Sequence, residues 1–572
     1  MARKRWMKNS EIRKSGLLTD GGVILGQTRN AHYRHDINSD KWQMIKSGEL
    51  LFNNSPDHIM VIASARRGKG INNVIPTLLH WPESCVVYDP KKETWDITSG
   101  WRSKFSHVLR FEPTDINSVK FNPLLEIEKG IKEVSQTQSI CEMLANPYGE
   151  TKNDHWSISA SFLLVGVILH VLYTYPDKSL HGVYRVLNNP EKTIFALFKE
   201  MLETEHLGDR VHPTVARVAR DFLDEVTPDE EPNPELLSII SSASSYLSLY
   251  QDPIIAKNTS ISDFTIKDIT GTKQPVSLYL VVNPQDAKRM TPLIRLIIEM
   301  IGKKLTSEGI KRKNHRLLFL IDDFPSLGRL SFFERQLTFF SNYRIKCMII
   351  TQAFKELYKH YTRDTSIPNS CRIKIFLGTD SPEESETLVK FLEKETINQS
   401  TSSRPGRASL ILPSEKAEAR SQIGDFLMTS DEMLQLSYDD IIISIAGLYP
   451  YNAKIIMYYI DPRFKGRAEM SPLSPDLQEA YFPSVLTKNS WENELQIGTG
   501  KDNAVSKDES ITGEDKKVIE PKTLPVPHDT SGRNNKNKGI EEDKDKDSFL
   551  ISIDEVDKKK EIKDIFIPDL EF

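Results

Sequence analysis

Cysteine is scarce. The 572-residue chain has four, Cys85, Cys141, Cys347 and Cys371, far apart and with no CxxC pair. That spacing argues against a zinc site and a disulfide framework, and it fits a reducing compartment. Long apolar runs are lacking as well. The most apolar stretch, residues 162–172 (FLLVGVILHVL), is shorter than the roughly 20 residues a bilayer-spanning helix needs and contains His170, so a buried core helix is expected. No apolar run follows the basic start MARKRWMKNSEIRK, and no signal peptide is expected there. Neither sign of charge dominates: the net charge is -5, with 75 Lys and Arg against 80 Asp and Glu. A global basic footprint for nucleic acid is therefore excluded, and DNA contact would require a local basic surface.

What remains is a globular composition, 38% hydrophobic and 27% charged, in a chain long enough for about two to four domains. Residues 58–63 (HIMVIA) read as a short buried strand. A glycine loop follows, then a helix over 71–80 that Pro76 kinks or shortens, then a second strand at 84–88 ending at Asp89. That is the opening of a parallel α/β sheet. From about 122 to 261 the periodicity is helical. Ile131, Val134, Gln138, Cys141 and Leu144 fall near one face, and further helices are expected over 155–173, 190–203, 213–226 and 235–250. Strands return at 276–282, 317–321, 347–350 and 373–377, alternating with helices, which predicts a doubly wound sheet. Residues 398–420 read as a polar loop, and 440–447 with 453–460 as a closing antiparallel hairpin. Residues 501–546 have a disorder-prone composition. The last 25 residues regain spaced apolar positions, as a solvated acidic tail or a short partner-docking motif.

The chemistry begins after the first strand. Ala63-Ser-Ala65-Arg66-Arg67-Gly68-Lys69-Gly70 joins a strand to a helix opening at Ile71, the setting of a phosphate-binding loop. Backbone N–H groups at a helix start cradle phosphate, and Lys69 reaches the β- and γ-phosphates. Ala63 stands where the usual pattern has Gly, and Gly70 where it has the Ser or Thr that ligates magnesium. The second piece is LLFLI followed by Asp322 and Asp323: an apolar strand ending in two carboxylates, one to hold magnesium and one to activate the attacking water.

These motifs occur in an order that resembles the TraG-like coupling proteins of type IV secretion and conjugation. The matching segments are GKGINNVIPTLLHWPESCVVYDPKKETWDITSGWR, FNPLLEI, DHWSISASFLLVGVILHVLY, SLYQDPIIAKNTSISDF, IDDFPSLGRL, MIITQAF and the closing segment at 425–464. The resemblance spans about residues 10–465. It implies a RecA-like P-loop NTPase related to the FtsK and HerA translocases. The sheet would be mostly parallel and doubly wound, with an inserted all-α domain and a disordered C-terminal tail. The expected division is 1–45, an N-terminal segment; 46–121, the first part of the nucleotide-binding domain; 122–264, the insertion; 265–465, its second part; and 466–572, the charged tail. Expected cofactors are ATP and Mg2+. Expected partners are copies of the chain in a hexameric ring, DNA, relaxase or effector proteins, and channel components, at the cytoplasmic face of the inner membrane. The family's two N-terminal membrane helices are not seen.

By position, the resemblance makes Ala65, Arg66, Arg67, Gly68, Lys69, Gly70 and Ile71 nucleotide binders, Asp322 the metal carboxylate and Asp323 the catalytic acid position. Gln352 becomes the γ-phosphate sensor, Asp89 a residue ordering the site, and Arg344 or Arg372 a finger for a neighbouring subunit. Arg217 and Arg220 are candidate DNA contacts. The family's acid pair usually ends Asp-Glu, so Asp323 is a departure. A soluble DNA-translocating ATPase outside secretion and a nucleotide-binding receptor platform with little turnover remain the alternatives.

Overall fold

The computed structural model describes residues 5–36, 39, 41–64, 67–68, 70–149, 154–224, 233–307, 314–401, 427–472, 474 and 491. Thirteen strands occur among them. They are β1 (Val23–Gln27), β2 (His32–Asp36), β3 (Lys41–Lys46), β4 (Leu50–Asn53), β5 (Ile59–Ile62), β6 (Ser84–Asp89), β7 (His107–Phe111), β8 (Val276–Val281), β9 (Leu317–Ile321), β10 (Ile345–Thr351), β11 (Ile373–Phe376), β12 (Asp440–Ile445) and β13 (Tyr451–Lys454). Eleven form one sheet in the order β4-β1-β13-β12-β11-β5-β10-β9-β6-β8-β7, and β2 and β3 form a separate hairpin. From β11 to β7 every pairing is parallel. The side from β11 to β4 is antiparallel.

The parallel strands are buried along their length, as sheets covered on both faces require. That is why their apolar runs are visible in the sequence. The first four strands are not visible in this way. β2 and β3 are a largely exposed hairpin, and β1 is interrupted by a register shift between Ile24 and Gly26. β7 escapes notice because Arg110 breaks its apolar pattern. The guanidinium is buried and its two terminal nitrogens pair with Glu112 at 3.1 Å and Asp115 at 2.7 Å.

The helical stretch lies between β7 and β8, as a run of short helices with side-chain caps. Asp154, Ser179, Thr193 and Asn233 each accept a backbone N–H in the first turn, so each helix start is locally encoded. One expectation needs correcting. Ile131 is fully exposed, because the helix starts only at Glu133, after a turn at Gly130 (φ 112°). Its buried face carries Thr137, Ile140, Cys141 and Leu144.

The apolar stretch at 162–172 belongs to a 20-residue helix, His155–Thr174, long and apolar enough by length and composition to cross a membrane. In this fold it is the centre of the helical core, packed by helices Glu133–Ala145, Pro213–Leu223 and Pro234–Leu247. Gly166 permits the close approach: a Cβ there would stand 2.5 Å from Val218 Cγ1.

Order continues past residue 466. Helix Pro462–Ala468 packs on helix Glu93–Arg102, and Arg467 donates to the Leu79 carbonyl at 2.8 Å. Farther on, Trp491 is 1% exposed in the helical region. Its Nε1–H donates to the Ile127 carbonyl at 2.8 Å, and its ring meets Tyr173 edge-on at 5.0 Å. Trp491→Ala is therefore expected to lower stability by about 3 kcal/mol, read as the unfolding midpoint. Truncation after 494 should cost far less. Residues 398–401 of the expected loop instead end helix Pro382–Thr401, and 402–420 lie outside the described residues. Of the tail expected over 466–572, residues 473, 475–490 and 492–572 lie outside them as well.

Candidate functional site

Strand register gathers the predicted residues along one edge of the sheet. β10 lies between β5 and β9, with Thr351 level with Ile62 and Ile349 level with Ile321. β6 flanks β9 on the other side, with Tyr88 level with Ile321. The carboxyl ends of β5, β10, β9 and β6 thus place the start of the glycine loop, Gln352, Asp322–Asp323 and Asp89 side by side. Crevices beyond the carboxyl ends of parallel strands are where α/β sheets bind ligands.

The loop leaves β5 with Ala63 still paired, its N–H donating to the Thr351 carbonyl at 3.1 Å. Ser64 Oγ donates to Thr379 Oγ1 at 3.2 Å. Gly68 adopts φ 81°, a conformation glycine takes without strain. Gly70 opens a five-residue π-type turn, Gly70–Val74, which gives way to helix Ile75–His80. Pro76 sits in that helix's first turn and has no N–H, so a kinked start follows from its chemistry. Among the described residues, a Cβ on Gly70 would meet nothing within 4 Å, at the position where other loops carry a hydroxyl. Ala65, Arg66 and Lys69 lie outside the described residues, and for Ile71 only the backbone is described. Arg67 has another task than facing phosphate. Its Nη2 meets Asp380 Oδ1 at 2.5 Å and its Nη1 donates to the Leu436 carbonyl at 3.1 Å. It fastens the loop to the segments following β11 and preceding β12.

Two anchors were not foreseen. Asn72 and Asn73 are fully buried at the start of an otherwise apolar helix. Asn72 Oδ1 accepts from the Ile456 N–H at 2.9 Å, and its Nδ2 donates to Asn73 Oδ1 at 2.7 Å. Asn73 Nδ2 is shared between the carbonyls of Ile24 and Leu25, at 3.3 and 3.2 Å. The loop's helix is thereby fixed to β1 and to the chain after β13. Adjacent amides inside INNVIPTLL were the available signal, since buried polar groups need partners.

On the acid side, the Asp322 N–H donates to the Tyr88 carbonyl at 3.4 Å. Asp323 is left-handed (φ 55°, ψ 51°), and its carbonyl accepts from Ser326 N–H and Oγ at 2.9 and 2.7 Å. Asp and Asn tolerate this conformation better than most residues, which gives a physical reason for Asp instead of Glu. The loop beyond is held by buried Arg295, whose guanidinium donates to the carbonyls of Leu327 and Arg329. Leu330 N–H donates to Tyr361 Oη at 2.9 Å.

Asp89 is 2% exposed and accepts from the N–H groups of Trp95 at 2.8 Å and Lys91 at 3.4 Å. It caps helix Glu93–Arg102. Burial, reinforced by the nearby Asp322 charge, pushes its carboxyl up to about 7 against the opposing backbone donors. A carboxyl raised from 3.8 to about 7 contributes stability that is fully present below pH 3.8 and lost as pH rises through 7. Asp89→Asn stays neutral. One of its two backbone donors loses an acceptor, so the offset between the midpoints is not read; the parent's midpoint should fall relative to the variant's from pH 5 to 7 and stop falling relative to it above about pH 7.5.

Gln352 is half-buried just past β10. Arg344 is not brought to this edge. It stands exposed at the other end of the seven-residue β10, about 20 Å away along the strand. Arg372 is likewise at the amino end of β11, 3.4 Å from Asp57. Arg217 and Arg220 lie on an exposed helix face, with Arg217 3.6 Å from Asp221.

The residues fit a nucleotide with its magnesium ion: a glycine turn that no described residue crowds at Gly70, and carboxylates two strands away. Asp322 would hold the metal. No separate cluster of His, Cys, Asp and Glu suited to a metal occurs among the described residues.

Comparison with known proteins agrees with this geometry. The family model described as type IV secretory system conjugative DNA transfer matches residues 5–477. A conjugal transfer protein TraG of Escherichia coli is 34% identical over 498 residues, covering 81% of this chain and 77% of that one. Protein VirD4 of Rhizobium radiobacter is 26% identical, covering 73% and 59%. The conjugative coupling protein TrwB, lacking its N-terminal segment, shares the fold with a TM-score of 0.54 at 13% identity, over 82% of this chain and 95% of that one. With the family match spanning most of the residues that build the sheet, the insertion and the nucleotide edge, the chain belongs to the type IV secretory system conjugative DNA transfer family.

Proposed function

We propose that this chain is the coupling ATPase of a type IV secretion or conjugation system, recruiting relaxase-bound DNA or effector proteins and driving their transfer by ATP hydrolysis. The observation that carries the proposal is the glycine loop on β5 and the Asp322–Asp323 pair on β9. They share one edge with a single strand between them, which carries Gln352. TrwB, the structural relative, has been described with ADP and Mg2+ and with a non-hydrolysable ATP analogue.

In this reading Lys69 and the loop N–H groups bind the phosphates. Asp322 holds magnesium, which neutralises charge on the β- and γ-oxygens when bound. Asp323 orients the attacking water and takes its proton, and Gln352 meets the γ-phosphate. The working assembly is a ring of copies at the inner membrane, in which Arg344 or Arg372 approaches a neighbour's nucleotide. Steady-state ATP hydrolysis with and without DNA tests the proposal. Turnover that rises with DNA supports the motor. Nucleotide binding with no turnover under either condition would support a receptor platform instead.

A further inference from the structure

The helical region between β7 and β8 meets the loop after the acid pair backbone to backbone. Helix Glu133–Ala145 packs against helix Ala287–Ser307 and runs into a turn over 146–149, where the Gly149 N–H donates to the Asn146 carbonyl at 3.2 Å. Gly149 is buried and left-handed, with φ 73°. A Cβ on it would stand 2.0 Å from the Arg329 carbonyl oxygen and 2.6 Å from Arg295 Nη2. The other side of the contact is also a glycine. Gly328 has φ 68°, and a Cβ on it would stand 2.7 Å from the Tyr148 carbonyl oxygen and 3.2 Å from Arg295 Nη1. Only residues without a Cβ allow two main chains to approach this closely. The buried Arg295 guanidinium, in reach of both glycines, donates to the carbonyls of Leu327 and Arg329. From there main-chain bonds lead back to the acids. The Gly328 N–H donates to the Pro325 carbonyl at 3.0 Å, and the Ser326 N–H to the Asp323 carbonyl at 2.9 Å.

We propose that Gly149 is a positioning residue for ATP hydrolysis: its contact with Gly328 and Arg329, free of side chains, lets the helical region hold the loop that aims Asp323. That role rests on the function proposed for this site, with Asp323 as the base. It separates binding from chemistry. The glycine loop lies on β5, across β10 from the strand that carries the acids. Displacing the 146–149 turn therefore leaves the phosphate cradle in place and moves the base. In a Gly149→Ala chain the Arg329 carbonyl must retreat by about 1 Å to bring the new Cβ out to 3.0 Å, and a misplacement of that order costs about a hundredfold in rate.

The test is ATP hydrolysis and calorimetric ATP binding by the full chain with Mg2+, comparing Gly149→Ala with Gly208→Ala. Gly208 is the matched control. It is a left-handed glycine of the same helical region, φ 87°, but among the described residues a Cβ on it would meet nothing within 4 Å. Both variants carry the strain of a left-handed alanine, and only the first presses on Arg329. Gly149→Ala should lower kcat by about a hundredfold with ATP affinity near the parent's. Gly208→Ala should match the parent in both. Gly328→Ala, with its milder clash against Tyr148, should fall between, and it decides by the same criteria if Gly149→Ala fails to fold. Hydrogen exchange gives a readout independent of turnover: the amides of 326–330 should exchange faster in Gly149→Ala and not in Gly208→Ala. Unchanged kcat in a folded Gly149→Ala would overturn the positioning role. So would ATP affinity lost in step with kcat, or an equal loss in Gly208→Ala, which reports general destabilisation. A parent that binds ATP without turning it over would instead overturn Asp323 as the base, and the role of Gly149 with it.

Discussion

Replacing Asp322 with Ala should reduce magnesium-dependent ATP turnover by about a thousandfold or more, to background, while the unfolding midpoint stays near the parent's. A metal ion supplies several kcal/mol of transition-state charge stabilisation, and losing its protein ligand forfeits most of that. Neither Gly70 nor Asp89 can substitute. Gly70 has no hydroxyl to offer. Asp89 is level with Asp322 across the sheet, but both its oxygens are committed to the backbone of Lys91 and Trp95. Burial also favours its neutral form up to about pH 7. Phosphate release measured across a magnesium titration is the readout. A variant within tenfold of the parent would remove Asp322 from the metal site.

Asp323→Gly should separate activity from stability. Loss of a positioned base costs about 10²- to 10⁴-fold in turnover. The backbone cost runs differently, because Asp323 sits at φ 55°. Relieving that strain gains roughly 1 kcal/mol, which offsets the similar entropic penalty of glycine in the unfolded chain. The midpoint should therefore hardly move while turnover collapses. Asp323→Glu keeps the carboxylate but places a less tolerant residue in the left-handed region, so it should lose stability by about 1 kcal/mol. Kinetics and thermal unfolding of the three proteins together decide the matter. Full turnover in Asp323→Gly would show that this carboxylate is no base and would favour the receptor platform.

The strained Asp323 also shows how a sequence departure becomes intelligible in three dimensions. The change from Asp-Glu to Asp-Asp was visible from the residues, and shortening of the side chain was its evident consequence. The backbone conformation that makes Asp the better occupant is set by the turn through Ser326 and by Arg295, whose guanidinium holds the carbonyls of Leu327 and Arg329. Arg295 lies 28 residues upstream on helix Ala287–Ser307, so no local pattern joins it to the acid pair. Asn72 and Asn73 are a similar case. Their partners, Ile456 and Ile24 with Leu25, lie more than 400 residues apart in the chain.

Local chemistry determined a good deal without help from the fold. Buried parallel strands must be apolar on both faces, so β5, β6, β8, β9, β10 and β11 stood out as short apolar runs. Helical periodicity marked the insertion, though it passed over the eight-residue helix Leu180–Leu187, and the glycine loop and the paired acids were each contiguous in the chain. Tertiary structure alone decided that β10 separates the loop from the acids, that Arg67 turns to Asp380, that Arg344 faces the far edge, and that Trp42 stacks on Tyr438 beside Gly68. The reason is physical. A motif is specified by neighbours in the chain, whereas strand order and side-chain partners depend on which distant surfaces bury each other, and apolar burial carries no address in a local run of residues.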